Sequence, residues 1–419
     1  MTKKLLTQIK NEWRSNLWLG VELLLVSVVL WYVVDYLCIR TAIYLEPRGF
    51  DISHTYLIGV DELTETSPDY HPYTDQAKEQ GDEMLELLDR IQHRPEVEAA
   101  SLSQNSYPYN GSNSSSPVGL AGDTLTSSDG TILRRATPDF VRVFRYEGAN
   151  GETPEQLAEK LEHDELLVSD NLFERYGHRA SEYIGHQLYA NGDTVQTITL
   201  GATYKPVRYS DFHSIYGSAS KSVLMKIPSN FVNWARELCV RVKADQDVNF
   251  IENLKRDADS QLRVGNMYIT SVRSFKDQRT AFQSGWISGM RIHYVGMGFL
   301  MLNVFLGLLG TFWFRTQQRR GEIALHKIHG ATNGAVFSRL VCEGLWLLLL
   351  VTPLAVIIDY NLARLELNEY YYGAYDQLPR LLLCAGIAFA LIAVMILIGI
   401  GIPAHQAMKI QPAQALHDE

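Results

Sequence analysis

The sequence predicts a membrane α-helical protein with four transmembrane helices and a large extracytoplasmic α/β (α+β) domain of two lobes inserted between spans one and two. Three observations lead there. Apolar residues crowd into four windows, 17–38, 294–314, 340–358 and 381–402. Each comes close to the roughly 20 residues that cover a hydrocarbon core. Between the first and second windows lies a long stretch of ordinary polar, globular composition. Basic residues gather near one side of the windows, and this orients them.

Residues 1–16 read as a cytoplasmic amphipathic helix. Leu5, Leu6, Ile9 and Trp13 oppose Lys3, Lys4, Gln8 and Lys10, a pattern that suits the headgroup plane and equally a plain topology signal. Span one follows at 17–38. Its apolar run exceeds a signal-peptide core of about 7–15 residues and no small-x-small cleavage site closes it, so it reads as an uncleaved anchor. Lys3, Lys4, Lys10 and Arg14 precede it. Arg315, Arg319, Arg320, Lys327 and Arg339 lie between spans two and three. Both groups belong on the cytoplasmic side. The loop between spans three and four is acidic, with Asp359, Glu366, Glu369 and Asp376 against Arg364 and Arg380. Both termini are then cytoplasmic, and the large domain lies outside.

The net charge of −9 divides unevenly. Residues 39–290 hold 25 Lys and Arg against 36 Asp and Glu, a balance of −11, while the remainder holds 13 against 11. No basic stripe with interleaved aromatics is present, so no nucleic acid partner is expected. The acid reads first as a solubility device for a surface domain. Of four cysteines, Cys239 alone lies well inside the outer domain, which excludes a disulfide within it. A bacterial periplasm accepts such a domain when its core is large. No Cys/His cluster has metal-ligand spacing. The 12 histidines are dispersed, without H-E-x-x-H, and no G-x-S-x-G occurs, so no catalytic residue is assigned.

The outer domain, 39–290, reads as mixed α/β. Strands are expected at 52–60, 97–102, 194–204, 237–243 and 267–272 from their β-branched and aromatic content. Helices are expected at 75–93, 155–161, 169–176 and 249–262. Met84, Leu87, Leu88 and Ile91 recur at helical spacing in the first, and Ser169-Asp170 offers a cap for the third. Thr137-Pro138-Asp139-Phe140 marks a further helix start. Residues 107–117, rich in Ser, Asn, Gly and Pro, form an exposed loop. The order suggests one lobe at about 44–150 that resumes at 234–278, with an inserted lobe at about 151–233.

Two carboxylates fall inside the apolar windows. Glu22, one turn into span one, is read as snorkelling or pairing with Arg14. Glu343, early in span three, lies four residues after Arg339, a spacing that pairs charges on a helix, and is read as structural.

The segment between spans two and three, Gly321-Glu322-Ile323-Ala324-Leu325-His326-Lys327-Ile328-His329-Gly330-Ala331-Thr332, is short, basic-flanked and helix-like. Ala324, Leu325, Ile328 and Ala331 share one face at three- and four-residue spacing. Glu322 suits the positive end of the helix dipole, and Gly330 can end the helix in a left-handed cap. His326 and Lys327 face solvent or an acidic partner surface. On physical grounds alone, an amphipathic loop against lipid headgroups fits as well as a docking helix.

Here the residues resemble a known family. Arg320 to Thr332 looks like the signature after the second span of MacB/FtsX-type ABC transporter permeases, which runs basic-x-Glu-Ile-Gly-Ile-basic-basic-Ala-Leu-Gly-Ala. His326 and Ile328-His329 depart from it. Ile402-Pro403-Ala404-His405-Gln406-Ala407 and Gln411-Pro412-Ala413-Gln414-Ala415-Leu416 are similar to the family's closing Pro-Ala-x-x-Ala and Pro-x-x-Ala-Leu, carried by Pro403, Ala404, Pro412 and Leu416. Thr137-Pro138-Asp139-Phe140 and Tyr183-Ile184-Gly185-His186-Gln187-Leu188 resemble pieces of the MacB periplasmic domain. The resemblance implies an FtsX-like permease domain at 291–419 and a MacB-like periplasmic domain at 39–290. It also implies a multi-pass protein of the bacterial inner membrane. Glu322, Ile323, Ala324, Leu325, Lys327, Ile328, Gly330 and Ala331 would form a coupling helix that docks on a cytoplasmic ABC ATPase.

No G-x-x-x-x-G-K-[ST] phosphate loop occurs in the sequence, so the chain is not expected to be an enzyme. No cofactor is expected on it, and ATP and Mg²⁺ would sit on the partner ATPase subunit. A second permease subunit, identical or a paralogue, completes the implied dimer, and a periplasmic adaptor is a further implied partner. The expected role is mechanotransmission for efflux of a peptide, drug or lipid-linked substrate. The alternative is an FtsX-like regulatory scaffold or sensor that controls a periplasmic cell-wall hydrolase or signalling partner without transport.

Overall fold

The computed structural model describes residues 13–127, 130–190, 196–319, 321, 325, 328–365 and 377–409. The chain forms two compact units, Ile43–Ile287 and Met1–Ala42 with Ser288–Glu419.

The first unit is built on a sheet of eleven strands among the described residues. They are β1 (Thr55–Glu62), β2 (Val97–Gln104), β3 (Ser114–Ser115), β4 (Gly119–Leu120), β5 (Ile132–Ala136), β6 (Leu166–Ser169), β7 (Gln187–Tyr189), β8 (Thr197–Tyr204), β9 (Ser222–Lys226), β10 (Glu237–Val242) and β11 (Met267–Ser274). Their order is β11-β1-β10-β2-β5-β9-β6-β8-β7-β4, with β3 paired to β5. The pairs β5–β9 and β6–β8 are parallel, and the other named pairs are antiparallel. At one end β11, β1, β10 and β2 alternate late and early strands, while β6 to β9 lie toward the other, where the early strand β4 forms the edge beside β7.

Three apolar cores flank this sheet. Alternation in β1, β2 and β10 sends Tyr56, Ile58, Ala100, Leu102, Leu238 and Val240 to one face. There they meet Met84, Leu87 and Ile91 of one helix, Gln76–Gln92, and Phe250 and Leu254 of another, Phe250–Gln261. Ala99 and Cys239 point into a second core with Phe140, Phe144, Tyr146, Leu157 and Leu161. Leu133, Val168, Leu188 and Leu200 fill the third. Local chemistry sets the helix starts. Asp75 accepts from Lys78 N, and Glu79 accepts from the backbone of Thr74 and Asp75. Thr153 and Gln156 form a reciprocal capping box with Pro154 in the first turn.

Residues 169–176 correct an expectation. Ser169 ends β6, and only Glu174–Tyr176 makes a 3₁₀ turn. Asp170 does not cap a helix: its carboxylate receives Arg179 Nε at 2.7 Å and Ser181 N at 3.0 Å, which folds the chain back on itself.

The four apolar helices are α1 (Trp13–Leu45), α2 (Phe275–Gln318), α3 (Asn333–Arg364) and α4 (Gln377–Lys409); the second unit holds them except for the end of α1 from Ile43 and the start of α2 up to Ile287, which belong to the first. Among the described residues, these four are long and apolar enough to cross a membrane. Leu23, Leu30, Phe312, Leu348, Ile392 and Ile396 form their shared core. Gly344 lets α3 approach α4, since a Cβ there would meet Ile396 Cγ2 at 2.9 Å. Asp35 of α1 is almost fully buried and takes two hydrogen bonds from Arg380 of α4, at 2.7 and 2.5 Å.

Candidate functional site

The candidate site is the hairpin between α2 and α3, together with the ion cluster at its base. Of the expected coupling residues, Glu322, Ile323, Ala324 and Lys327 lie outside the described residues. Leu325 and Ile328 are described, and they are 50 % and 54 % exposed. Large aliphatic side chains left half exposed are what a docking face requires, and in water they are costly without a cover. His329 N donates to Leu325 O at 3.2 Å, a helical turn. Gly330 then takes φ of 87°, the left-handed conformation that a Cβ would disfavour. Ala331 packs against Val336, and Thr332 Oγ1 accepts from Ala335 N at 3.2 Å, starting α3. The segment is thus held at its C-terminal end by a turn, a small apolar contact and a cap.

At the base of the hairpin, Glu343 of α3 accepts from two arginines four residues apart, Arg315 in the last turn of α2 and Arg319 just past its end. Arg315 donates at 3.1 Å and Arg319 at 2.6 Å. The Glu343 side chain is 6 % exposed, and the Arg315 and Arg319 side chains are 15 % and 14 % exposed. Leu19, Phe312, Leu340 and Ile400 line the same pocket as the cluster. Two charge-assisted bonds to one carboxylate join the helices on either side of the hairpin. Residue spacing had pointed to Arg339, four positions earlier on the same helix. The partners observed here come from the end of α2, across the loop. The i, i+4 repeat of Arg315 and Arg319 was the available signal: it places both on one stripe at the end of α2.

Glu22 of α1 accepts from Thr311 Oγ1 of α2 at 3.0 Å, and its second oxygen is buried without a hydrogen-bond partner among the described residues. Pro403 and Ala404 fall within α4. Pro412 and Leu416 lie outside the described residues. Among the described residues, no cluster of three His, Cys, Asp or Glu side chains is placed to hold a metal ion.

Residues 294–412 match the FtsX-like permease C-terminal family, a stretch that contains the latter part of α2, the hairpin, α3 and all of α4. Among solved structures, the periplasmic region of MacB from Actinobacillus actinomycetemcomitans is similar, at a TM-score of 0.31 and 11 % identity over 57 % of this chain and 97 % of that one. That likeness is too loose to map residues. No curated protein matches the chain. Beside four membrane-length helices and an α/β domain between the first two, the chain carries an FtsX-like permease C-terminal domain at residues 294–412.

Proposed function

We propose that this chain couples a separate cytoplasmic ATPase to conformational work outside the bacterial inner membrane, in the service of efflux of a peptide, drug or lipid-linked substrate. The observation that carries the reading is the pair of half-exposed aliphatic side chains, Leu325 and Ile328, on a turn inside the matched permease domain. ATP and Mg²⁺ act on the ATPase, which would bind this turn. A second permease subunit and a periplasmic adaptor complete the proposed assembly.

The mechanism follows from how the hairpin is held. A force on Leu325 and Ile328 passes into α3 through the Gly330–Thr332 cap. The Glu343 cluster ties α3 to α2, so the two helices move together rather than splaying. The helix α2 runs without a break for 44 residues. At 1.5 Å per residue that is about 66 Å, twice the ~30 Å of a hydrocarbon core, so one rigid rod can carry displacement from the inner face well beyond the outer one. No substrate needs to cross the lipid for that work to be done.

The test is the double variant Leu325→Asp with Ile328→Asp. It should insert in the membrane at the wild-type level and lose the ATPase on co-purification. Retention of the ATPase would refute the docking face. If deletion of the chain altered septation while resistance to exported compounds stayed normal, the regulatory-scaffold alternative would be favoured over efflux.

A further inference from the structure

Outside the membrane helices, one buried carboxylate gathers more donors than its neutralisation needs. Asp211 lies in the loop after β8, and its side chain is 3 % exposed. Arg48, three residues past the end of α1, donates Nε to Oδ1 at 3.3 Å. Arg279, in the second turn of α2, donates Nε to Oδ2 at 2.6 Å, and a second guanidinium nitrogen bonds the same oxygen. Tyr109 OH adds a bond at 3.0 Å. Gln283, one turn further along α2, meets the Asp211 backbone and carboxylate at 3.0 and 3.2 Å when its amide is oriented to satisfy both.

The same loop grips the segment after α1 and the first turns of α2 around this point. Arg208 is fully buried and donates to the carbonyls of Glu46 at 2.7 Å, Asp211 at 2.5 Å and His213 at 3.0 Å. The Glu46 carboxylate receives Ser214 Oγ at 2.9 Å and Ile215 N at 2.8 Å. Gly49 has φ of 80°, and a Cβ there would fall 2.2 Å from Pro206 O, so the chain leaving α1 lies directly on the loop. On the other side, Tyr209 and His213 stack edge-on against Phe282 and Trp286 of α2.

A single arginine would neutralise a buried aspartate. Here two arginines, one just past the end of α1 and one in the second turn of α2, converge on one loop of the same compact unit. We propose that Asp211 is a positioning residue, the joint at which displacement of α1 and α2 is delivered together to the outer domain. The proposal rests on the coupling function above.

The test uses the purified complex with its ATPase in lipid nanodiscs, with spin labels on Lys255→Cys and Gln318→Cys and the native cysteines replaced. Pulsed dipolar spectroscopy reads the distance between the labels with and without ATP. The parent complex should show an ATP-dependent shift. Asp211→Asn should lose that shift while keeping the ATPase bound and ATP hydrolysis running, and Asp211→Glu should restore it. A purely structural aspartate would lower thermal stability and leave the shift in place. A full shift in Asp211→Asn overturns the joint alone. Absence of the shift in the parent complex overturns the coupling function and the joint with it. Should Asp211→Asn fail to assemble, Arg48→Gln decides by the same reading, because it removes one arm and leaves the carboxylate its Arg279 partner: an undiminished shift there overturns the joint.

Discussion

Replacing Glu343 with alanine isolates the energetic weight of the hairpin's base. The carboxylate takes bonds of 3.1 and 2.6 Å from two arginine side chains, each about one-seventh exposed. A charge-assisted bond contributes about 1.5–3 kcal/mol, and removing one partner of a buried ion pair costs about 3–5 kcal/mol because the stranded charges stay behind. The two arginines retain some solvent contact, which places Glu343→Ala at the low end, about 3 kcal/mol. Glu343→Gln keeps one carbonyl acceptor but no charge, so roughly half of that loss is expected. Equilibrium unfolding of the purified chain by dodecyl sulfate in mixed micelles reads both values. A Glu343→Ala cost below about 1 kcal/mol, the range of exposed pairs, would show that the cluster is solvated and does not brace the helices.

Two further predictions concern packing and pH. Gly344→Ile should cost about 3 kcal/mol in the same assay, since even a Cβ approaches Ile396 at 2.9 Å, whereas Gly344→Ala should stay within about 1 kcal/mol because helix propensity offsets part of the strain. Equal costs for the two would refute close packing of α3 on α4. For pH, burial pushes Asp211 up, but the hydrogen bond and charge of Arg279 and the charge of Arg48 hold it below the ordinary value of 3.8. Burial likewise raises Asp51, while the Ser53 hydrogen bonds and the charges of Arg241 and Arg145 lower it further. A depressed carboxylate stabilises the fold above its unfolded value, and that stability is lost as pH falls through the folded value. Thermal unfolding of the full chain in detergent should therefore stay level from neutral pH to about pH 5 and fall below about pH 4, less steeply in Asp211→Asn. An unchanged slope in that variant would contradict the assignment.

What the sequence revealed depended on periodicity and on distance along the chain. The helix Gln76–Gln92 was legible because one face of it is apolar at 3.6-residue spacing, and Asp75 announces its start. The apolar windows were legible from length and composition, although α1 and α2 run past them at both ends. Strand β6 escaped because all four of its residues are buried: Leu167 enters one core while Leu166 and Val168 enter another, so nothing alternates. Strand β9, also buried through its first three residues, gave no signal for the same reason. Ion clusters were the least legible. Glu343 has cross-loop partners, Asp35 and Arg380 are 345 positions apart, and Asp211 draws on Arg48 and Arg279 from opposite ends of the outer domain. Local spacing offers no rule for bonds of that kind, because the fold alone brings them together.

Purification of the native complex from membranes through the tagged chain, followed by mass spectrometry and an ATP-hydrolysis assay, bears most directly on coupling. The expected result is an ATP-hydrolysing subunit recovered with the wild-type chain and absent from the Leu325→Asp, Ile328→Asp preparation. Recovery of the wild-type chain without any nucleotide-hydrolysing subunit would contradict it.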